Sequence, residues 1–525
     1  MGVYRISRKE TYYFSTLNTQ LSYTQKELSS FIGFENEIEN FQKQIELKRS
    51  NYSNETRQVL CASLQSQYGY SSYRKALDSI ELLKDENTFT VCTGHQLSLL
   101  TGPAYFVYKI LHTIQLSRVL KKKYPRYNFV PVYWMASEDH DIDEIRSLHI
   151  FNKILKWDTT EEGAVGRIST NGIKEILKEF KGYFGQDKFN EMEEIFSKNR
   201  NSTYASFFFD LVTNLFKEYE LVVLDADDTQ LKKLFIPLIE NELNNSFSFN
   251  CLNKTNRELL KKEIKLQVNP REINLFYLSQ NKRSRIIKNG DLLEIDDVHY
   301  SLDDLLNLLE KEPHNFSPNV VLRPLFQEYI LPNLSYVGGA GELAYWIQLK
   351  GIFEETKIPY PILQLRSSVF FWDEKSLHKW QSLGLSLSDL FKNKENLISD
   401  FAKAKMKDEI DTESINEKFE SLSKELQRAS KGNINLAQWM GAEISRMEKQ
   451  LQNIQGKLKK EAKQKNESDV AWIEKQKERL FPNNTMQERK ANFFHFCPDG
   501  KIQDKMKFVL NSIDPFNSDI VLLTI

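Results

Sequence analysis

Two β-prone apolar runs, 89–93 (FTVCT) and 129–135 (FVPVYWM), bracket a helical pattern and restrict this chain to few folds. Gly94 stops the first run, and Pro103 suits the first turn of a helix. Val107, Ile110, Leu111, Ile114 and Val119 then share one side of that helix, which continues through Lys123 until Pro125 ends it. Strand, helix and buried strand make a βαβ unit. Further apolar runs at 221–224 and 361–365 also lie beside helical patterns. Buried strands alternating with helices describe a parallel, doubly wound sheet, so the expected fold class is α/β with a Rossmann-like core.

A chain of 525 residues exceeds what one hydrophobic core fills, so appendages are expected. Segments 150–220 and 230–320 are rich in Lys, Glu and Asn and lack a βα rhythm. They read as two insertions into a core spanning 1–375. A helical domain is expected over 376–470, because Ile415, Phe419, Leu422, Leu426 and Ala429 follow the four-three spacing of a heptad seam. The pattern pauses at Lys431-Gly432-Asn433 and resumes as Met440, Ile444, Met447, Leu451, Ile454 and Leu458. That is a self-contained antiparallel coiled-coil pair, whose outer apolar face suits a homodimer. Residues 471–525 are expected to pack back on the core.

With 71 basic against 72 acidic groups, no global signature of a nucleic-acid partner exists. Cys61, Cys92, Cys251 and Cys497 are scattered and form no C-x-x-C pair, which predicts a reducing, cytoplasmic setting without a disulfide framework. The amino terminus lacks a signal-peptide pattern, and no run approaches the ~18 apolar residues of a membrane span.

In a right-handed βαβ unit, the loops after both strands open on one edge of the sheet, where ligands of such folds bind. The first loop, 93–103, supplies Gly94, His95, Gln96 and Gly102, with Lys109 about two turns into the helix. Its plainer reading is a pair of permissive glycine turns and a helix-capping histidine. The second loop, 137–144 (SEDHDIDE), supplies Glu138, Asp139, His140 and Asp143. These could hold a divalent cation, orient an amine or transfer protons, or they could be a solvated helix start. No H-E-x-x-H occurs and the cysteines are remote, so no resident metal is assigned.

A third candidate joins Arg323 and Gln327 to Gly338, Gly339, Gly341, Glu342 and Tyr345, where a glycine turn opens a helix. It lacks both the G-x-G-x-x-G and the P-loop spacing. Arg323 and Arg366 suit bidentate pairing with carboxylate or phosphate, or equally a structural ion pair. Asp225, Asp227 and Asp228 follow the third apolar run and either face the same cleft or form its turn.

The strings TGHQLSLLTGPAYFVYKILHTIQLSRVL, VPVYWMASEDHDIDEI, VNPREINLFYL and SPNVVLRPLFQEYILPNLSYVGGAGELAYWIQLK resemble the bacillithiol-biosynthesis cysteine-adding (BshC) family in order and spacing. LQLRSS around Arg366 and LFPNNTMQER from Leu480 to Arg489 extend the likeness over nearly the whole chain. The resemblance implies a core related to nucleotidyltransferases and class I aminoacyl-tRNA synthetases, two connecting insertions and a coiled coil that mediates dimers. It also implies a cytoplasmic ligase that joins the carboxyl of L-cysteine to the amine of glucosaminyl malate, the last step of bacillithiol synthesis. An amide needs an activated carboxyl, so ATP is the implied cofactor, with ADP or AMP as product and Mg2+ as a candidate counter-ion. On this reading Gly94, His95 and Gly102 cradle a phosphate or the activated acyl group, Lys109 and Arg323 balance its charge, and Asp139, His140 or Asp143 binds or deprotonates the amine. A second nucleotide pocket between core and coiled coil is implied as well. Family members usually carry Gly-Gln-Gln where this chain has Gly94-His95-Gln96. Two other classes are carried alongside: a metal-dependent hydrolase using residues 138–143, and a non-catalytic coiled-coil scaffold.

Overall fold

The structure is a computed structural model that describes residues 2–69, 73–196, 203–407 and 412–525. Residues 197–202 of the expected first insertion and 408–411 of the expected helical domain lie outside the described residues. Five strands build the central sheet: β1 (Thr88–His95), β2 (Asn128–Met135), β3 (Val222–Asp225), β4 (Asn333–Gly338) and β5 (Ile362–Leu365). All are parallel, in the order β5-β4-β1-β2-β3. Both faces are covered, which is why the strands read as apolar runs rather than alternating ones. Val132 and Trp134 pack into one core with Leu224 and Phe326, while Tyr133 and Met135 pack into the other with Phe106 and Leu111.

Strand β4 corrects the sequence reading, which saw only a glycine turn at this point. Its Asn333 and Ser335 are fully buried, so no apolar run marks it. Each is satisfied internally: Asn333 Nδ2 donates to Glu328 Oε1 of the preceding helix (2.7 Å), and Ser335 Oγ donates to the Ile362 carbonyl of the neighbouring strand (2.8 Å).

Helix α1 (Tyr105–Lys123) carries the chain from β1 to β2, and α2 (Thr229–Asn245) follows β3. Helix α3 (Arg323–Ile330) precedes β4, and α4 (Ala340–Trp346) follows it toward β5. The chain leaves β1 toward one edge of the sheet and β4 toward the other, so a crevice opens between their carboxyl ends. The first insertion, between β2 and β3, contains the hairpin Ser147–Ile150 with Lys153–Lys156 and the helices Ile173–Gly182, Gln186–Phe196 and Tyr204–Leu215. The second includes the antiparallel strands Leu275–Ser279, Lys282–Arg285 and Phe316–Pro318, which reach over the crevice.

Strand Ile520–Thr524 pairs with both Val3–Ile6 and Val369–Trp372 in a separate three-stranded sheet. Helices α5 (Lys394–Lys407), α6 (Thr412–Ala429), α7 (Ile434–Lys465) and α8 (Glu467–Leu480) form the helical region. The turn between α6 and α7 falls at the expected pause, where Gly432 adopts φ +104° and Asn433 caps α7 by accepting from the Leu436 amide. The pair is not self-contained as expected, because α5 also packs along α7. Leu422, Ile434, Trp439 and Ile454 of α6 and α7 remain exposed. Among the described residues, no helix is long and apolar enough to cross a membrane.

Candidate active site

A cavity of about 700 Å³ occupies the crevice. Its floor is Gly94 and His95 at the end of β1, Trp134 at the end of β2 and Tyr336 on β4; Gln96, Ser137, Glu138 and Asp139 come from the two loops, Glu342 and Tyr345 from α4, and Arg323 from α3. The second insertion closes the remaining side with Arg271, Phe276, Arg283 and Asn319. The two sequence-predicted loops therefore meet: Gln96 Nε2 donates to Asp139 Oδ2 at 2.8 Å and to Glu144 Oε2 at 2.8 Å.

The first loop spends most of its polar groups on its own shape. Leu100, Thr101 and Gly102 adopt φ of +45°, +73° and +61° in succession, a left-handed run that costs energy for the first two. The fully buried Asn492 holds it, donating to the Leu100 (2.9 Å) and Gly102 (2.6 Å) carbonyls. A Cβ on Gly102 would lie 2.5 Å from Ser98 Cβ, so this glycine serves the turn, and it does not line the cavity. His95 Nδ1 lies 2.9 Å from the Gln96 carbonyl, which only accepts, so Nδ1 carries the proton; Nε2 accepts from the Tyr105 hydroxyl at 3.0 Å. Burial, with the nearby Lys109 charge, lowers the His95 pKa to about 4, so the ring is neutral. Buried Lys109 donates to Gly94 O (2.7 Å) and to both Glu342 oxygens (2.7 and 2.9 Å), and Tyr336 adds a third hydrogen bond to Glu342 at 2.9 Å. Burial pulls the ammonium below its ordinary range, while Glu342, though burial opposes ionisation, is held below its own by Lys109. The pair is charged and mutually neutralised.

The second loop presents more of its groups. Burial alone would raise the Asp139 pKa, but hydrogen bonds from His140 and Gln96 and the charge of Arg283 hold it well below the usual carboxylate range. Asp139 is thus an anion facing the cavity. Glu138 pairs with Lys232 (2.5 Å), which also binds Asp227 (2.9 Å); Asp227 in turn takes two bonds from Arg167, at 2.6 and 2.8 Å. Asp228 caps α2 by accepting from the Gln230 and Leu231 amides. His140 is half exposed beside Arg283, and Asp143 pairs with Arg146 in the solvent; neither lines the cavity. Among the described residues, no group of three His, Cys, Asp or Glu side chains is arranged to hold a metal ion.

The third candidate divides. Arg323 lines the cavity, touches Gln327 Oε1 at 3.2 Å and has no carboxylate within ion-pair reach among the described residues. Gln327 is buried behind it, donating to Glu328 Oε1 at 2.8 Å. Gly338, Gly339 and Gly341 shape the β4–α4 turn and stay outside the lining. Arg366 is a structural partner, paired with buried Glu488 at 2.9 Å and stacked over Tyr105 at 4.8 Å.

Sequence reasoning missed Arg283, which reaches the site from the second insertion. It sits 4.1 Å above the Phe276 ring, donates to Ser317 Oγ and Pro318 O at 3.3 Å, and keeps a buried Nε without an acceptor. Arg271 and Phe276 were also missed as site residues, although both lie within the string VNPREINLFYL. No motif covers Arg283.

Comparison with known proteins is consistent over the full length. Residues 1–367 match the family described as bacillithiol biosynthesis BshC, N-terminal Rossmann-like domain, and residues 369–522 match its C-terminal coiled-coil domain. A Flavobacterium johnsoniae protein named "putative cysteine ligase BshC" is 39% identical, covering 99% of each chain. Proteins of the same name from Flavobacterium psychrophilum (39%, covering 93% of each chain) and Christiangramia forsetii (37%, covering 99% of this chain and 98% of the relative) are similarly close.

Proposed function

The chain belongs to the BshC family of bacillithiol biosynthesis, and from that premise we propose that it is a cysteine ligase that joins L-cysteine to the amine of glucosaminyl malate in the cytoplasm at the expense of ATP. The observation that carries the reading is the meeting of the two loops, through Gln96 and Asp139, on a cavity lined by charges of both signs, with Arg271, Arg283 and Arg323 beside Asp139 and Glu138. Amide formation between an anionic acid and an ammonium needs such a site. Arg323 and Arg271 offer guanidinium groups to carboxylate or phosphate oxygens, while Asp139 offers an ionised carboxylate to the amine.

The residues present fit a nucleotide. Among the described residues no carboxylate pairs with Arg323, and the cavity adds the apolar walls of Trp134, Pro270 and Phe276. ATP supplies carboxyl activation when bound, with Mg2+ as its counter-ion. Lys109 balances Glu342 rather than a ligand, and neutral His95, with both ring nitrogens engaged, fixes the loop rather than moving a proton. The exposed apolar side chains of α6 and α7 suit a symmetric homodimer, which sedimentation at several concentrations checks.

The test of the reaction is direct. Purified protein given ATP, Mg2+, L-cysteine and glucosaminyl malate should yield the amide with stoichiometric loss of ATP. A product formed without ATP, or no product under any of these conditions, overturns the reading.

A further inference from the structure

Beneath the second loop, Ser137 and Asp225 are built together. Ser137 lines the cavity yet is only 1% exposed, and its hydroxyl donates to Asp225 Oδ1 at the end of β3. The same oxygen accepts from the Asp227 amide at 3.1 Å. Ser137 is clamped from behind, because the Gly166 amide donates to its carbonyl at 2.7 Å. A Cβ on Gly166 would come within 2.6 Å of Ser137 Cβ, so only glycine allows this approach. Contacts from Gly166 of the first insertion thus hold Ser137 in the cavity lining with a carboxylate behind its hydroxyl, and neither residue has a role in the reading above.

We infer that Ser137 and Asp225 form a proton relay for the attacking amine of the ligation. Resting on the ligase reading, the step runs as follows: the bound ammonium gives one proton to Ser137 Oγ, whose own proton passes to Asp225 Oδ1. The freed nitrogen lone pair forms the C–N bond to the activated acyl carbon. The C–O bond to the phosphate leaving group breaks with its electrons on oxygen, and the second N–H proton leaves with that phosphate. Ser137 touches the amine and is the catalytic residue; Asp225 acts through it.

The surroundings of Asp225 favour a base. Asp227 on its own turn and Glu138 on the loop after β2 bring negative charge, Arg167 and Lys232 answer it from the first insertion and α2, and buried Tyr133 lies alongside. Burial first, then the charge of Asp227, pushes the Asp225 carboxyl up to about 6. A base of that kind is lost as pH falls through 6.

The test compares Asp225→Asn, Asp225→Glu and Ser137→Ala with the unaltered full chain, measuring amide formation and cysteine-dependent ATP cleavage separately across pH 5–9. Asp225→Asn and Ser137→Ala should lower kcat for amide formation by about 10²-fold or more, far beyond any fall in ATP cleavage. Both should lose the acid limb near pH 6, and Asp225→Glu should restore part of the rate. Should Asp225→Asn fail to fold, Ser137→Ala carries the same comparison. Variants that make amide at the unaltered rate and pH profile overturn the relay and leave the ligase standing. An equal fall in both measured steps also overturns it, whereas an unaltered protein that makes no amide overturns relay and ligase together.

Discussion

The loops after β1 and β2 look equivalent in sequence, each a polar stretch at the carboxyl end of a buried strand, but they use their residues in opposite ways. The first is consumed by its own architecture: Gly102 in a left-handed turn, His95 bonded at both ring nitrogens, Lys109 cancelled by Glu342. The second leaves Asp139 ionised at the cavity and Ser137 in its lining. A residue type suited to chemistry becomes available for it only when its neighbours leave a donor, an acceptor or a charge unspent. The first loop is therefore expected to govern stability and the second turnover.

Substitutions can break that division. The largest effect is expected at Lys109→Met, which leaves the Glu342 carboxylate and the Gly94 carbonyl without their buried donor. Breaking a buried pair costs about 3–5 kcal/mol; because Glu342 retains 26% side-chain exposure, the lower end applies. Urea unfolding should show it, and adding Glu342→Gln should recover part. Asp139→Asn should do the reverse. A lost charge-assisted bond, worth about 1.5–3 kcal/mol, corresponds to a roughly 10- to 100-fold fall in kcat/KM for the amine substrate, with little change in the urea midpoint. Equal stability losses in both variants would dissolve the distinction between the loops. Asn492→Ala removes the donor of two buried carbonyls in the left-handed turn and should cost about 1–3 kcal/mol, again read from the urea midpoint.

How much of this was legible in the sequence follows from how each part is stabilised. Strands β1 and β2 and helix α1 are held by apolar burial on both faces, which writes itself into the sequence as runs and periods. Strand β4 is partly held by buried amide and hydroxyl hydrogen bonds from Asn333 and Ser335, residue types that favour turns in isolation, and so left no such trace. The convergence of His95, Gln96 and Asp139 could be read because adjacent parallel strands put their following loops on one edge. The partners that decide their chemistry could not. Glu342, Asn492 and Arg283 arrive from 233, 390 and more than 100 residues away, respectively, through contacts without any local periodicity. Arg366 shows the converse: its position just after a core strand suggested a ligand contact, and only the fold reveals Glu488 beside it.

The smallest effect is also the most discriminating for the first loop. His112 is buried and His95 half-buried, and both are held neutral, each with a pKa lowered to about 4 from an ordinary 6.5. The unfolded chain takes up a proton at each as pH falls through 6.5, whereas the folded chain does so only near 4. Between those values the unfolded state binds more protons, so stability falls with falling pH, by up to about 1.4 kcal/mol per pH unit for each histidine. His95→Gln keeps an amide able to donate to the Gln96 carbonyl and to accept from Tyr105 but removes the titrating ring. Urea unfolding from pH 7 to 4.5 should therefore show a shallower acid slope in His95→Gln, with His112, His149 and His495, whose pKa values burial also lowers, contributing to what remains, and nearly unchanged ligase turnover at pH 7.5. If turnover instead collapses while the slope stays steep, His95 belongs with Asp139 among the working groups, and the contrast between the two loops fails at its most visible residue.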